Sequence, residues 1–158
     1  MEHIPGQVKF LVCVDASEEC KTALKFACMR AKNSNGLVVM LYIITPNNIQ
    51  HFAGVEKVME REAEEEANRI LSELKANTLQ EFAIEIEAII SYGTKYNCIV
   101  DLINEDKTIS ILVLGAAPEG KGTNELINKF ATGLTSSILI PLTIVPGNLN
   151  SNDLEKIT

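Results

Sequence analysis

The sequence predicts an α/β fold: a doubly wound, mainly parallel sheet of five strands with helices on both faces. Two observations lead to this prediction. Largely apolar runs at residues 8–14, 37–44 and 109–114 are typical of strands that are buried on both faces. Helical patterns stand between the strand-like segments along the whole chain, and this alternation is typical of parallel sheets with crossover helices.

The first half of the chain supplies two helices and an edge strand. A helix is predicted to begin after Ser17, a favoured N-cap residue, and to end at the turn-forming residues 33–36. A longer helix is predicted over about 55–75, with glutamates on the face opposite its apolar stripe. Residues 82–90 alternate between apolar and charged side chains, which predicts a half-exposed strand at an edge of the sheet.

The second half adds helices over about 96–105 and 124–131 and a last strand over about 139–145. Pro141 confines this strand to an edge or places the proline at the strand's start. With the buried strands central, the predicted order is 3-2-1-4-5, or the same sheet with the last strand reversed or exchanged at the edge. We expect one domain with a core at 8–146 and a tail at 147–158.

In such a sheet, ligands bind beyond the carboxyl ends of the strands, where the strand order reverses. Strands 1 and 4 deliver residues 15–17 and 115–122 to this place. The last strand is apolar on both faces through Leu142 and Ile144, and an apolar edge favours pairing with a second copy of the chain. We therefore expect a homodimer through this strand.

The composition excludes several classes of protein. The 158 residues contain 14 Lys and Arg against 21 Asp and Glu, a net charge of −7, which argues against a nucleic-acid partner. The apolar runs are shorter than a membrane span, and the N-terminus has no signal-peptide pattern, so we expect a cytoplasmic protein without membrane contact. The four cysteines form no metal-binding pattern and are interpreted as reduced, packed side chains, with an exposed reactive thiol at Cys20 as the alternative.

Several segments resemble the universal stress protein family, over about residues 8–145. Residues 10–17 (FLVCVDAS) are similar to its first strand and D-x-S turn, and residues 39–44 (VMLYII) to its second strand. Residues 92–100 are similar to its turn into the third helix, and residues 111–115 (ILVLG) to its fourth strand and the start of its phosphate loop. The resemblance implies a Rossmann-like, cytosolic stress-response protein, usually a homodimer, and in some members bound ATP or AMP.

The resemblance also implies a nucleotide site. Asp15 and Gly115 match nucleotide-contacting positions, and Ile43 matches a backbone contact to adenine. Nucleotide-binding members have the loop G-x2-G-x9-G-[ST], but here Pro118 replaces the second glycine and the spacing to the last glycine is one residue longer. Within this rebuilt loop the candidate phosphate residues are Gly120, Lys121, Gly122, Gly133 and Thr135.

Proline has no N–H to offer a phosphate. We therefore expect ATP to bind weakly, with a Kd on the order of 0.1 mM or weaker, roughly −5 kcal/mol. Adenine and ribose should be recognised better than a triphosphate. Residues 115–123 also come within one residue of the P-loop pattern GxxxxGK[ST], but Gly122 stands where the magnesium-binding hydroxyl belongs.

Local structural roles explain the same residues equally well. Asp15 could hold a nucleotide or accept backbone N–H bonds in the turn after the first strand, and the glycines could form a phosphate cradle or an ordinary loop. Two functions therefore stay open: a nucleotide-responsive stress module, and a dimeric interaction protein of the same fold that does not bind nucleotide. An enzyme ranks third, because no catalytic pattern is present and His51 has no partner nearby in sequence.

Overall fold

A parallel sheet is the centre of the structure, a computed structural model that describes residues 6–45, 55–119 and 124–158. Its strands are β1 (Lys9–Val14), β2 (Leu37–Ile44), β3 (Glu87–Tyr92), β4 (Ile111–Ala116) and β5 (Leu142–Pro146). Their order is β3-β2-β1-β4-β5, and every neighbouring pair is parallel. The predicted fold class and strand order are confirmed, with the last strand at an edge and not reversed.

Helices cover both faces of the sheet. They are α1 (Glu18–Ser34), α2 (Val55–Phe82), α3 (Lys95–Glu105), α4 (Glu125–Ser137) and α5 (Ser151–Ile157). The helices α1, α2 and α5 pack on one face and α3 and α4 on the other, each with its own apolar core. Since all strands are parallel, their carboxyl ends meet at one edge of the sheet. In the described part of the chain, no helix has the length and apolar character needed to span a membrane.

The first helix lies close to the sheet because its buried stripe is made of small side chains. Ala23, Ala27 and Ala31 are each at most 1% exposed. The helix begins as the sequence predicts: the hydroxyl of Ser17 accepts a hydrogen bond of 3.3 Å from the Cys20 amide. It ends at Asn35, whose left-handed conformation lets its amide bond to the carbonyl of Ala31.

The boundary between α2 and β3 differs from the prediction. The helix continues to Phe82, whereas residues 82–90 were expected to form a strand. Leu74, Thr78 and Phe82 extend the buried stripe of the helix by steps of four residues. Thr78 is polar, but its buried hydroxyl donates to the Leu74 carbonyl 2.9 Å away, so the helix accommodates it.

The helix α2 ends at a left-handed residue, Ala83, with a φ of 56°. Ile84 and Ile86 then pack against the core from the connecting segment, so the apolar alternation begins before the strand does. The strand itself starts at Glu87 and lies at the edge of the sheet, where the alternation placed it.

The C-terminal boundaries also differ. The strand β5 starts at Leu142, directly after Pro141, and α4 continues to Ser137 instead of ending near residue 131. The expected tail at 147–158 contains α5, whose start is stabilised by a capping box in which the side chains of Asn150 and Asp153 each accept from the other residue's amide. Leu154 on this helix is 1% exposed and packs in the core against α1.

A charged side chain is buried at the amino edge of the sheet, opposite the carboxyl ends. Lys9 is 8% exposed, and its ammonium lies 2.8 Å from Oδ2 of Asp106 and 3.8 Å from a carboxylate oxygen of Glu87. Burial acts to raise the pKa of Asp106, but the hydrogen bonds from Lys9 and Thr108 outweigh it and lower the pKa. This cluster therefore stabilises the start of β1 while Asp106 is ionised.

Candidate functional site

A cleft of about 100 Å³ lies at the carboxyl edge of the sheet, where β1 and β4 are neighbours. The order of the strands reverses here, so the cleft is where ligands bind in open parallel sheets. Residues from β1, β4 and the starts of α1, α3 and α4 line it: Cys13, Asp15, Ser17, Glu19, Cys20, Lys95, Leu114, Gly115, Asn124, Leu126 and Ile127.

Asp15 is held at the mouth of this cleft by the turn into α1. Its Oδ1 accepts a hydrogen bond of 2.8 Å from the Ser17 amide, and its own amide donates to the Cys20 sulfur at 3.1 Å. Its Oδ2 lies 3.5 Å from the ammonium of Lys95. Both side chains are more than 40% exposed, and such an ion pair contributes only about 0–1 kcal/mol. The carboxylate can therefore exchange this partner for a ligand at small cost.

Lys95, which was not among the predicted site residues, reaches the cleft from the other side. Lys95 is the first residue of α3, after the N-cap Thr94, whose hydroxyl accepts from the Asn97 amide at 3.3 Å. The signal was present in the sequence: a Gly-Thr pair follows the third strand, so the next side chain starts a helix at the carboxyl edge.

Gly115 has a packing reason to be glycine. A Cβ at this position would lie 2.2 Å from the carbonyl oxygen of Glu19 in the first turn of α1. Gly147 approaches Glu19 as well, since a Cβ there would lie 2.5 Å from the Cβ of Glu19. The amide of Gly147 donates to the Ala116 carbonyl at 2.8 Å, and its own carbonyl accepts from the Thr22 hydroxyl at 3.0 Å. A nucleotide contact at Gly115 stays a prediction.

Asn124, also absent from the predicted site residues, joins the two ends of the loop after β4. Its Oδ1 accepts a hydrogen bond of 2.9 Å from the amide of Ala117, and its Nδ2 donates to the carbonyl of the same residue at 3.4 Å. The Asn124 side chain thus makes the backbone hydrogen bonds that a neighbouring strand would otherwise make to Ala117, and it holds residues 117 and 124 together. The predicted phosphate residues Gly120, Lys121 and Gly122 lie outside the described residues.

The remaining predicted nucleotide residues are distributed over two elements. Ile43, on β2, lies next to Asp15, because the sheet register pairs Val14 with Tyr42. Its side chain packs in the core beneath α3 and α4, and the residue also borders a neighbouring groove of about 310 Å³ beside α2. Gly133 lies inside α4 at a kink, with φ −111° and ψ 15°, and Thr135 follows it in the same helix.

The thiols of the cleft are unsuited to nucleophilic chemistry. Burial raises the pKa of Cys13 to about 12, and it raises the pKa of Cys20 further. At neutral pH both groups are therefore protonated. Cys20 is only 3% exposed, so the alternative of an exposed reactive thiol at this position is wrong. Among the described residues, no cluster of three or more His, Cys, Asp or Glu side chains could hold a metal ion.

A second groove, of about 270 Å³, adjoins the cleft between α3 and α4. It is lined by Lys95, Glu125, Leu126 and Lys129, and two of these residues, Lys95 and Leu126, also line the cleft. The ammonium of Lys129 lies 4.4 Å from the centroid of the Tyr96 ring, a distance typical of a cation–π contact.

The edge strand β5 exposes one of the two residues predicted to form a dimer. Ile144 is 44% exposed, whereas Leu142 is partly buried against the core beneath α3 and α4. Nearby, the side chain of Leu139 is 94% exposed. This edge therefore combines exposed apolar side chains with strand hydrogen-bonding groups that face away from β4.

Comparisons with known proteins agree on one family. Solved structures that match include a universal stress protein family member from Burkholderia pseudomallei (16% identity, TM-score 0.70, covering 90% of this chain and 98% of that one). UspA from Lactobacillus plantarum matches at 17% identity and a TM-score of 0.68, covering 87% and 97% of the two chains. A family protein from Arabidopsis thaliana with AMP bound matches at 19% identity and a TM-score of 0.59, covering 92% and 94%.

Other matching universal stress proteins were solved with cAMP and, in the Archaeoglobus fulgidus protein, with dAMP. At these identities, the likeness to solved structures shows the fold. No curated protein matches the chain by sequence. The model of the universal stress protein family, however, matches residues 8–146, the whole span from β1 to β5. The chain therefore belongs to the universal stress protein family.

Proposed function

We propose that this universal stress protein binds an adenine nucleotide in the cleft at Asp15 and acts as a nucleotide-responsive stress module. The main support is the position of Asp15: a carboxylate side chain at the point of strand reversal, 43% exposed and held by one weak, exposed ion pair. Relatives of the same fold solved with AMP, cAMP and dAMP support the adenine nucleotide as the ligand class.

The chemistry of the cleft suits a nucleoside. The Asp15 carboxylate only accepts hydrogen bonds, and ribose hydroxyls and the adenine amine are donors. Beside it, β2 continues beyond Val14, the last residue of β1, so the backbone of Ile43 lies next to the Asp15 turn. In this proposal the carboxylate and that backbone together bind the sugar and the base.

Triphosphate recognition should be the weaker part of binding. Pro118 directly follows Ala117, whose amide is hydrogen-bonded to the Asn124 side chain, and it offers no N–H to an anion. We expect ATP to bind with a Kd on the order of 0.1 mM or weaker. The missing N–H at Pro118 should weaken the binding of adenosine and AMP less than it weakens the binding of ATP. The protonated thiols in the cleft favour binding over catalysis.

Titration calorimetry with adenosine, AMP and ATP tests the proposal. The variant Asp15→Asn keeps an oxygen for the Ser17 amide but loses the charge, and we expect it to weaken adenosine binding about tenfold, or ~1.4 kcal/mol. The matched control is Asp101→Asn on the exposed side of α3, which should bind like the wild type. If none of the three ligands binds at millimolar concentration, the proposal is overturned.

The second part of the proposal is a homodimer through β5. Such a dimer also fits the alternative function, an interaction protein that does not bind nucleotide. The exposed Ile144 at an unpaired sheet edge supports it. Light scattering at micromolar protein should give a dimer for the wild type and a monomer for Ile144→Asp. Leu79→Asp, at an equally exposed leucine on α2, should stay dimeric. We place the protein in the cytoplasm, where its cysteines stay reduced.

A further inference from the structure

We propose that the phosphate of a bound nucleotide lies in the groove between α3 and α4, held by Lys95 and Lys129, and not on the backbone of the loop after Pro118. The inference rests on the proposed function. It names the anion-binding part of the site and favours nucleoside monophosphates over triphosphates.

The groove is continuous with the cleft at Asp15. Lys95 and Leu126 line both spaces, so a ligand with its sugar at Asp15 extends directly into the groove. The cleft, of roughly 100 Å³, is narrow for a whole nucleotide, and the adjoining groove adds a volume of about 270 Å³. The phosphate is the part that the groove accommodates.

Lys129 is a preorganised cation. Its ammonium lies 4.4 Å from the centroid of the Tyr96 ring, which in turn lies 4.7 Å from the ring of the fully buried Phe130. Among the residues that the structure describes, no carboxylate forms an ion pair with Lys129. The ring contact favours one position of this exposed ammonium, and its charge is available to a phosphate oxygen.

Lys95 changes partner when the ligand binds. Its ammonium lies 3.5 Å from the Asp15 carboxylate. A ribose hydroxyl or adenine amine that takes this carboxylate releases the ammonium, and its flexible stem lets it turn to the phosphate in the adjoining groove. Binding at Asp15 and binding of the anion therefore strengthen each other.

Glu125 sets the preference for a small anion. It lines the same groove, so two ammonium groups face one carboxylate there. The net charge of these three groups, +1, already falls short of the roughly −1.5 to −2 of a monophosphate, and each further phosphate adds negative charge without a further cation from the groove. Removing the Glu125 charge should accordingly strengthen anion binding.

The ratio of the AMP affinity to the adenosine affinity, both measured by calorimetry, gives the contribution of the phosphate to binding. We expect Lys95→Gln and Lys129→Gln each to lower the ratio of AMP to adenosine affinity about five- to tenfold, and Glu125→Gln to raise it. Lys107→Gln, at an exposed lysine after α3, is the control and should leave the ratio unchanged. Higher salt should lower the wild-type ratio.

Three outcomes overturn the inference. If AMP binds the wild type no more tightly than adenosine does, the inference fails while the proposed function stands. If the ratio falls in Lys121→Gln but not in Lys95→Gln or Lys129→Gln, the phosphate lies on the loop instead. If neither ligand binds, the proposed function fails and the inference with it.

Discussion

Replacing Gly115 with alanine should destabilise the protein, because β4 and α1 meet there without room for a side chain. The added Cβ would lie 2.2 Å from the carbonyl oxygen, 2.6 Å from the carbonyl carbon of Glu19 and 3.2 Å from the Cys20 amide nitrogen. All three atoms belong to the backbone of the first turn of α1. No rotation of a side chain relieves the overlap, so the helix start must move.

The size of the effect follows from that displacement. Ordinary contact with a Cβ begins near 3.4 Å, so the Glu19 carbonyl must retreat by more than 1 Å. Overpacking of a well-packed core costs about 1–3 kcal/mol, and the backbone obstacle places this variant near ~3 kcal/mol. With a urea m-value of about 2 kcal/mol/M, the unfolding midpoint should fall by roughly 1.5 M.

Urea unfolding followed by circular dichroism measures this loss. Gly6→Ala is the matched control, because no atom lies within 4 Å of its added Cβ and only its positive φ of 84° is unfavourable. It should cost about 1 kcal/mol. Where alanine fits, the same change stabilises a protein by about 0.4–1 kcal/mol. A midpoint for Gly115→Ala at or above that of the wild type would refute the close packing.

Four further results are expected. Asn124→Ala should speed hydrogen exchange of the Ala117 amide about tenfold, since it removes both hydrogen bonds to that residue. Asn124→Asp retains an acceptor and should speed the exchange less. Equal exchange in both variants and the wild type would contradict these two hydrogen bonds. Because burial raises the pKa of Cys13 to about 12, its thiol should resist iodoacetamide at pH 8 in the folded protein and react with it in urea. Peptide mass spectrometry measures the labelling. Rapid labelling of the folded protein would contradict the raised pKa. Lys9→Met should cost about 1–3 kcal/mol in urea unfolding by depriving Asp106 of its cation. The lowered pKa of Asp106 means that its stabilising effect is present above its ordinary value of 3.8 and is lost as pH falls below it, so the difference between wild type and Asp106→Asn should shrink there; an undiminished difference at pH 2 would count against the ion pair.

The central part of the fold could be predicted from the sequence because its signals are local. Each buried strand is a continuous apolar run, and such runs belong in the middle of a parallel sheet. The position of Asp15 follows from the same reasoning, since it directly ends the first strand. The predicted strand at 82–90 was partly wrong because Ile84 and Ile86 pack from a connecting segment with the alternation of a strand.

The site could be predicted only in part, because its geometry depends on contacts between distant elements. Lys95 and Asn124 belong to the starts of two helices. The Gly-Thr pair before Lys95 indicates a helix start at the carboxyl edge, but nothing near either residue in sequence shows that it faces Asp15 or the loop after β4. The fifth helix was missed for another reason: it is a single short segment with Leu154 as its buried residue. One apolar side chain gives no periodicity to detect.

The contacts around Glu19 bear on when the site forms during synthesis. Glu19 lies between Gly115 and Gly147, and the Thr22 hydroxyl reaches the Gly147 carbonyl across 125 positions of the chain. The turn that presents Asp15 is synthesised early, whereas its support at Gly147 is synthesised 125 positions after Thr22. Contacts of such long sequence separation close late in folding. On the proposed function, a chain that lacks Gly147 should therefore bind nucleotide less well than a chain that contains it.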